Sequence, residues 1–217
     1  MARITVLAGV NGAGKSSIAG AMLREAGGNY FNPDEATRQI RDCHPDMDEA
    51  AANALAWHTN VEQLRAAIAA GADYSFETTL GGRTITRLLL DAAAAGMELC
   101  MWFGGLDSPE RHLARIRARV ARGGHDIPPE RVRERYVTSQ HNLVLLLPHL
   151  HHLVVFDNST EANPASGQQP APRKLLDWLD GTLRYPATAT ALRRTPPWAQ
   201  AIVAAAWDLA QPELPAG

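Results

Sequence analysis

Eight residues near the amino terminus constrain this chain more than any others. Gly9-Val10-Asn11-Gly12-Ala13-Gly14-Lys15-Ser16 has the form G-x-x-x-x-G-K-[ST] and directly follows the apolar run Ile4 to Ala8. A loop that turns a strand into a helix around an anion must bend tightly and aim several N–H groups at one point. Gly9, Gly12 and Gly14 supply that freedom. A helix expected over Gly14 to Arg24 adds its positive dipole end. Lys15 then reaches the β- and γ-phosphates, and the Ser16 hydroxyl holds Mg²⁺. The chain has two lysines, Lys15 and Lys174, against nineteen arginines, yet one of the two stands inside this loop. The motif therefore predicts a Mg-ATP site. It does not by itself separate a switch, a motor and a kinase.

Beyond the loop, apolar runs alternate with longer helical patterns, the mark of βαβ units around a parallel sheet. Strands are expected at Ile4 to Ala8, Asn29 to Asn32, Asp73 to Glu77, Met97 to Phe103 and His152 to Asp157. Leu55, Val61, Leu64 and Ile68 recur at helical spacing within Met47 to Ala70, closed by Gly71. A further helix is expected over Thr84 to Ala95, and two more joined by Gly123-Gly124-His125-Asp126-Ile127-Pro128. The composition changes after Asn158. Ser159 to Pro172 is rich in Pro, Ser, Gln, Gly and Ala and reads as an exposed loop. Helical patterns follow around Leu175 to Leu183 and Trp198 to Leu209. The expected organisation is a core over residues 1–158 with a lid at about 107–148, a loop over 159–172 and a helical extension over 173–217.

Ligands of open parallel sheets bind outside the carboxyl ends of the strands. Two acids fall there: Asp34, after Phe31-Asn32-Pro33, and Glu77, before Thr78-Thr79. Either could orient an acceptor hydroxyl and take its proton. Asp34 reads equally well as an N-cap for a helix over Glu35 to Ile40. Glu77, flanked by Tyr74, Phe76 and Leu80, is poorly placed for solvation. Eight of the nineteen arginines lie between Arg111 and Arg135. Arg111, Arg115, Arg119 and Arg122 share one helix face, opposite Leu113, Ile116 and Val120. Only Asp107 is available as an i,i+4 partner, to Arg111, so a row of like charges suits an anion better than water. Asp126 is a candidate cap for a helix begun by Pro128.

Several classes are disfavoured. A formal net charge of −2 gives no support for bulk attraction to nucleic acid or a membrane. No run of about 18 apolar residues exists to span a bilayer. The amino-terminal apolar run is too short for a signal peptide. Cys43 and Cys100 read as buried thiols of a cytoplasmic protein rather than a disulfide. His149, His151 and His152 have no Cys or carboxylate close by in sequence and read as a turn entering a strand. Trp198 and Trp207 read as a packing stripe.

Taken together, these motifs resemble the zeta-toxin family of P-loop kinases, in its short stand-alone bacterial branch. The resemblance covers about Ile4 to Ser159. It rests on Ala8 to Ser16, Asn32-Pro33-Asp34, Phe76-Glu77-Thr78-Thr79-Leu80, Arg119-Val120 with Gly123 to Pro128, Arg133-Glu134-Arg135-Tyr136, and Phe156-Asp157-Asn158-Ser159. It implies an α/β, three-layer fold with a five-stranded parallel sheet flanked by helices, and phosphorylation of a sugar hydroxyl, with UDP-N-acetylglucosamine the best-known acceptor. It further implies Asp34 as base, Glu77 as the carboxylate that orients the acceptor, and Arg115 and Arg119 as the phosphate clamp. Gly9, Asn11, Gly12, Ala13, Gly14, Lys15, Ser16, Ser17 and Asn158 would form the nucleotide site, and Thr78, Thr79, His125 and Arg135 the acceptor site or lid. His125 stands where longer members carry a second arginine. An antitoxin partner is implied as well. The nearer alternative is a non-toxic metabolic or antibiotic kinase on the same fold, and the more distant one an ATP-binding module that lacks catalysis.

Overall fold

A computed structural model describes residues 1–15, 30–160 and 171–211. Most of the helix expected after the glycine loop, with Ser16 and Ser17, lies outside the described residues. Six strands form one sheet: β1 Arg3–Ala8, β2 Tyr74–Thr78, β3 Glu98–Gly105, β4 His152–Asp157, β5 Arg173–Leu179 and β6 Thr182–Tyr185, in the order β2-β1-β3-β4-β5-β6. The four strands β2, β1, β3 and β4 are parallel, and β5 and β6 continue the sheet antiparallel. On β1, Ile4, Val6 and Ala8 are buried on one face and Thr5 and Leu7 on the other, so the central strand is covered on both sides.

The expectation of five parallel strands is corrected in two places. The second strand shrinks to one bridge, in which Phe31 donates to Ser75 O at 2.8 Å and accepts from Glu77 N at 2.9 Å. Pro33 has no N–H to extend the ladder, and the chain enters a helix at once. The helix expected over Leu175 to Leu183 is instead the β5–β6 hairpin. Asp180 and Gly181, with φ of 47° and 75°, form its two-residue turn. Residues 173–211 are accordingly not a purely helical extension, since two of their elements are strands of the main sheet.

The helices are α1 Pro33–Cys43, α2 Glu49–Ala70, α3 Arg83–Ala94, α4 Pro109–Val120, α5 Pro129–Leu146, α6 Ala189–Arg193 and α7 Gln200–Ala210. Asp48 caps α2 through Ala51 N, and Gly71 ends it in the left-handed region at φ 57°. The apolar stripe expected on α2 holds for Val61 and Leu64, whereas Leu55 is exposed and Ala52 and Ala56 take the inner positions. The main core joins the sheet to Leu64, Leu89, Leu143, Leu146 and Ile202. A second, small cluster comprises Val10, Leu113, Ile116, Ile127 and Val132. It seats α4 and α5 directly on the glycine loop. Trp198 packs on Phe103 with ring centroids 6.4 Å apart. Cys100 is buried as expected, but Cys43, in the last turn of α1, is exposed. No helix among the described residues is long and apolar enough to cross a membrane.

Candidate active site

The glycine loop leaves the buried end of β1 and turns under Gly104 and Asn158. Gly9 has φ 136°, and a Cβ there would overlap the Gly104 carbonyl. Gly14, at φ 81°, has the Asn158 amide where its Cβ would stand. Both positions require glycine on conformational and steric grounds. Asn158 Nδ2 donates to Ala13 O at 2.9 Å, so this residue, expected to bind nucleotide, here buttresses the loop. Lys15 is only 8% exposed. Its Nζ donates to Gly9 O at 2.9 Å and lies 3.4 Å from Glu77 Oε1. A buried ammonium needs an anion, and at this position the anion is the carboxylate that closes β2.

Asp34 is not the cap of α1. The Asn32 side chain accepts from Asp34 N at 2.9 Å and Glu35 N at 3.3 Å, which leaves the Asp34 carboxylate to face Arg119 Nη1 at 3.4 Å. Glu77 is followed by an unusual turn. Leu80 is fully buried yet has φ 57°, a conformation costing a non-glycine residue about 1–2 kcal/mol. Thr78 Oγ1 accepts Leu80 N–H at 3.0 Å, and Thr79 Oγ1 accepts Gly81 N–H at 3.5 Å. From α5, Asn142 Nδ2 donates to Leu80 O at 2.8 Å and the Thr138 hydroxyl to Gly81 O at 3.0 Å. These bonds hold the strained turn and fix the end of β2.

The arginine stripe of α4 divides. Arg111 Nε donates to Asp107 at 2.8 Å and holds that carboxyl below its usual range. Arg122 bonds Ala118 O on its own helix. Arg115 Nη2 instead donates to Asn158 O at 2.7 Å, and Arg119 Nη2 to His125 O at 3.1 Å. Arg119 Nε is buried with no hydrogen-bond partner among the described residues. Arg115 thus meets the residue that buttresses the loop, and Arg119 the Asp34 carboxylate. Arg135, from α5, donates to Asn11 Oδ1 at 2.9 Å. Asp126 accepts from Ile127 N at 2.8 Å and does not cap α5, whose N-cap is Pro128.

Sequence reasoning missed His112. Its side chain is fully buried, and Nδ1 donates to the Asn11 carbonyl at 2.8 Å. Burial pushes its pKa down from 6.5 to about 4, so the ring is neutral near pH 7. Asn11 is thus gripped twice, on its backbone by α4 and on its side chain by α5. A histidine between Arg111 and Leu113 carries no signal in one sequence, because its burial depends on where the loop comes to rest. Also missed were Asn53, Trp57 and Asn60 of α2. With Asn11, Asp34, Glu77, Thr78, Thr79, His125 and Arg135 they line an open cleft. Their spacing of four and three is legible in the sequence, but polar residues at helical spacing suit a solvated face as well as a cleft.

Among the described residues no three metal-ligating side chains gather. His152 lies on β4, with Nε2 3.7 Å from Asp177.

Comparison with known proteins gives the family. A family described as "AAA domain" matches residues 4–141, well over half of the chain. An uncharacterised protein of Haemophilus influenzae is 30% identical over 128 residues, which cover 59% of this chain and 88% of that protein. Among solved structures, the AvrRxo1-ORF1:-ORF2 complex with ATP is similar at a TM-score of 0.65 and 14% identity, covering 100% of this chain and 66% of that one. This chain thus spans just under two thirds of that protein. The PezAT chromosomal toxin–antitoxin system of Streptococcus pneumoniae is similar at a TM-score of 0.50 and 14% identity, covering 72% of this chain and 67% of that one. Such identities speak for the fold alone. The family match and the loop geometry agree, and the chain belongs to the AAA-domain family.

Proposed function

We propose that this chain is an ATP-dependent kinase that phosphorylates a hydroxyl of a small molecule, a nucleotide-activated amino sugar such as UDP-N-acetylglucosamine, and acts as the toxin of a toxin–antitoxin pair. One observation carries the reading: Asp34 and Glu77 line one cleft with Asn11 of the glycine loop, and Arg119 and Lys15 pair with those two carboxylates. Solved relatives in fold contain ATP in one case and belong to a toxin–antitoxin system in another.

The residues present fit the nucleotide. Lys15 is a buried ammonium inside a loop of three positive-φ glycines, and the unpartnered Nε of Arg119 is a donor held in reserve. Ser16 would hold Mg²⁺. Bound Mg-ATP supplies the transferable γ-phosphoryl group. Asp34 would take the proton of the acceptor hydroxyl, whose oxygen gains the phosphoryl group that ADP gives up. Glu77 orients the acceptor once Lys15 turns to phosphate. Arg115 and Arg119 neutralise charge on the moving group, and α4 and α5 act as the lid that excludes water.

The test is transfer of label from γ-labelled ATP to UDP-N-acetylglucosamine, with Lys15→Ala as control. A labelled sugar nucleotide is expected from the wild type and none from the variant. ATP hydrolysis indifferent to every hydroxyl acceptor offered, or undiminished turnover in Lys15→Ala, would refute the kinase reading.

A further inference from the structure

Three residues of α2 face the cleft with a chemistry the phosphotransfer machinery does not use. Asn53, Trp57 and Asn60 are four and three positions apart and so lie on one helix face. They line the cleft together with Asp34 and Glu77. The two amides are held in a defined sense. The Thr37 hydroxyl donates to Asn53 Oδ1 at 2.9 Å, and the Tyr74 hydroxyl shares its one proton between Asn60 Oδ1 at 2.9 Å and Gln63 Oε1 at 3.0 Å. With both carbonyl ends taken, each amide presents its NH₂ end elsewhere. Neither amide nitrogen has a hydrogen-bond partner among the described residues, and neither is sealed from solvent. Asn60 is only 3% exposed. A donor that has no protein acceptor and still reaches solvent can exchange its water for a ligand oxygen. Between the two stands the Trp57 indole, 43% exposed although it is the largest apolar side chain of its helix.

An exposed aromatic face flanked by two fixed donors recognises a ring with an apolar face and oxygen acceptors at its edge. It discriminates against an acceptor that bears an ammonium group there, because N–H would meet N–H. We infer that Asn53, Trp57 and Asn60 form the surface that selects the acceptor: a sugar ring stacks on Trp57, and hydroxyl or amide-carbonyl oxygens, not an amine, meet the two Asn amides. This rests on the phosphotransfer reading for the direction of the reactive hydroxyl, which then points at Asp34.

The experiment separates binding from transfer. UDP-N-acetylglucosamine, N-acetylglucosamine and the two corresponding free amines are titrated by calorimetry into the full chain loaded with a non-hydrolysable ATP analogue. Phosphoryl transfer is measured separately. The wild type should prefer each N-acetyl compound to its amine. Asn60→Asp and Asn53→Asp keep the bond from Tyr74 or Thr37 but turn a carboxylate oxygen into the cleft. Each should weaken the N-acetyl compounds by roughly 10- to 100-fold and shift preference toward the amines. Trp57→Ala should weaken all four, whereas Leu55→Ala, equally exposed on the same helix but away from the cleft, should behave as wild type. Unchanged affinities in the Asp variants, no preference in the wild type, or no binding of any of the four would overturn the inference. Selective binding without phosphoryl transfer would leave this surface standing and refute the kinase reading instead.

Discussion

Asp34 and His112 show how differently two residues act within one site. Asp34 carries no capping duty, because Asn32 fills it, so its charge is free for chemistry. Asp34→Asn is expected to lower kcat by roughly 10²- to 10⁴-fold, the range of a general base. The melting temperature and the affinity for ATP should stay close to wild type. A fall in melting temperature without a fall in kcat, measured by steady-state kinetics and thermal denaturation, would return Asp34 to a structural role. His112 acts through Asn11 and is a positioning residue. Its pKa in the folded chain, about 4, lies below the ordinary 6.5, so the unfolded chain takes up a proton first as pH falls. His112 thus withdraws stability between about pH 6.5 and pH 4, by at most roughly 3 kcal/mol. His112→Asn keeps an N–H for the Asn11 carbonyl and removes the titration. Urea denaturation across that window should show a shallower loss for the variant, with ATP KM less affected than in His112→Leu.

At the scale of elements, α4 divides its own arginines between solvent and site. Arg111 pairs with Asp107 outside the cleft, whereas Arg119 spans Asp34 and the His125 carbonyl. Arg119→Ala is therefore expected to depress kcat by two or more orders of magnitude, the scale of losing a transition-state charge contact. Arg111→Ala should cost only a few tenths of a kcal/mol in stability, as exposed i,i+4 pairs do. Equal kinetic damage from both would mean that the whole stripe faces phosphate. The turn after β2 makes a related point. Its strain at Leu80 is held by Asn142 and Thr138 of α5, so the lid helix that grips Asn11 through Arg135 also fixes the strand end bearing Glu77. The spacing of α4 announced a cationic face opposite an apolar one. It could not tell which cations turn inward, because that depends on how far α4 rotates over Val10 and the loop.

For the molecule as a whole, β5 and β6 complete the sheet at the edge where a helix was expected. The Asp180-Gly181 pair was a hairpin signal in plain view. The apolar run Leu175-Leu176 before Trp178 masked it, since a short apolar run suits a buried strand and a helix alike. Gly181→Val puts a β-branched residue at φ 75° and is expected to lower stability by about 1–3 kcal/mol. It should leave the ATP site untouched, as thermal denaturation alongside nucleotide titration would reveal. A loss of nucleotide binding at temperatures where the chain stays folded would mean that the hairpin edge governs the loop. The amino-acid sequence by itself determined the glycine loop, the alternation of strands and helices, and the place of Glu77 near the end of a strand. These follow from local rules: backbone freedom at glycine, hydrophobic period, and the position of a residue within its element. Only the tertiary structure decided that Asn32 rather than Asp34 caps α1, that Lys15 pairs with Glu77, that His112 and Arg135 hold Asn11, and that Asn53, Trp57 and Asn60 face the cleft. Each of those depends on segments tens of residues apart coming within a few ångströms, and a one-dimensional pattern does not encode which of several polar side chains wins a given partner.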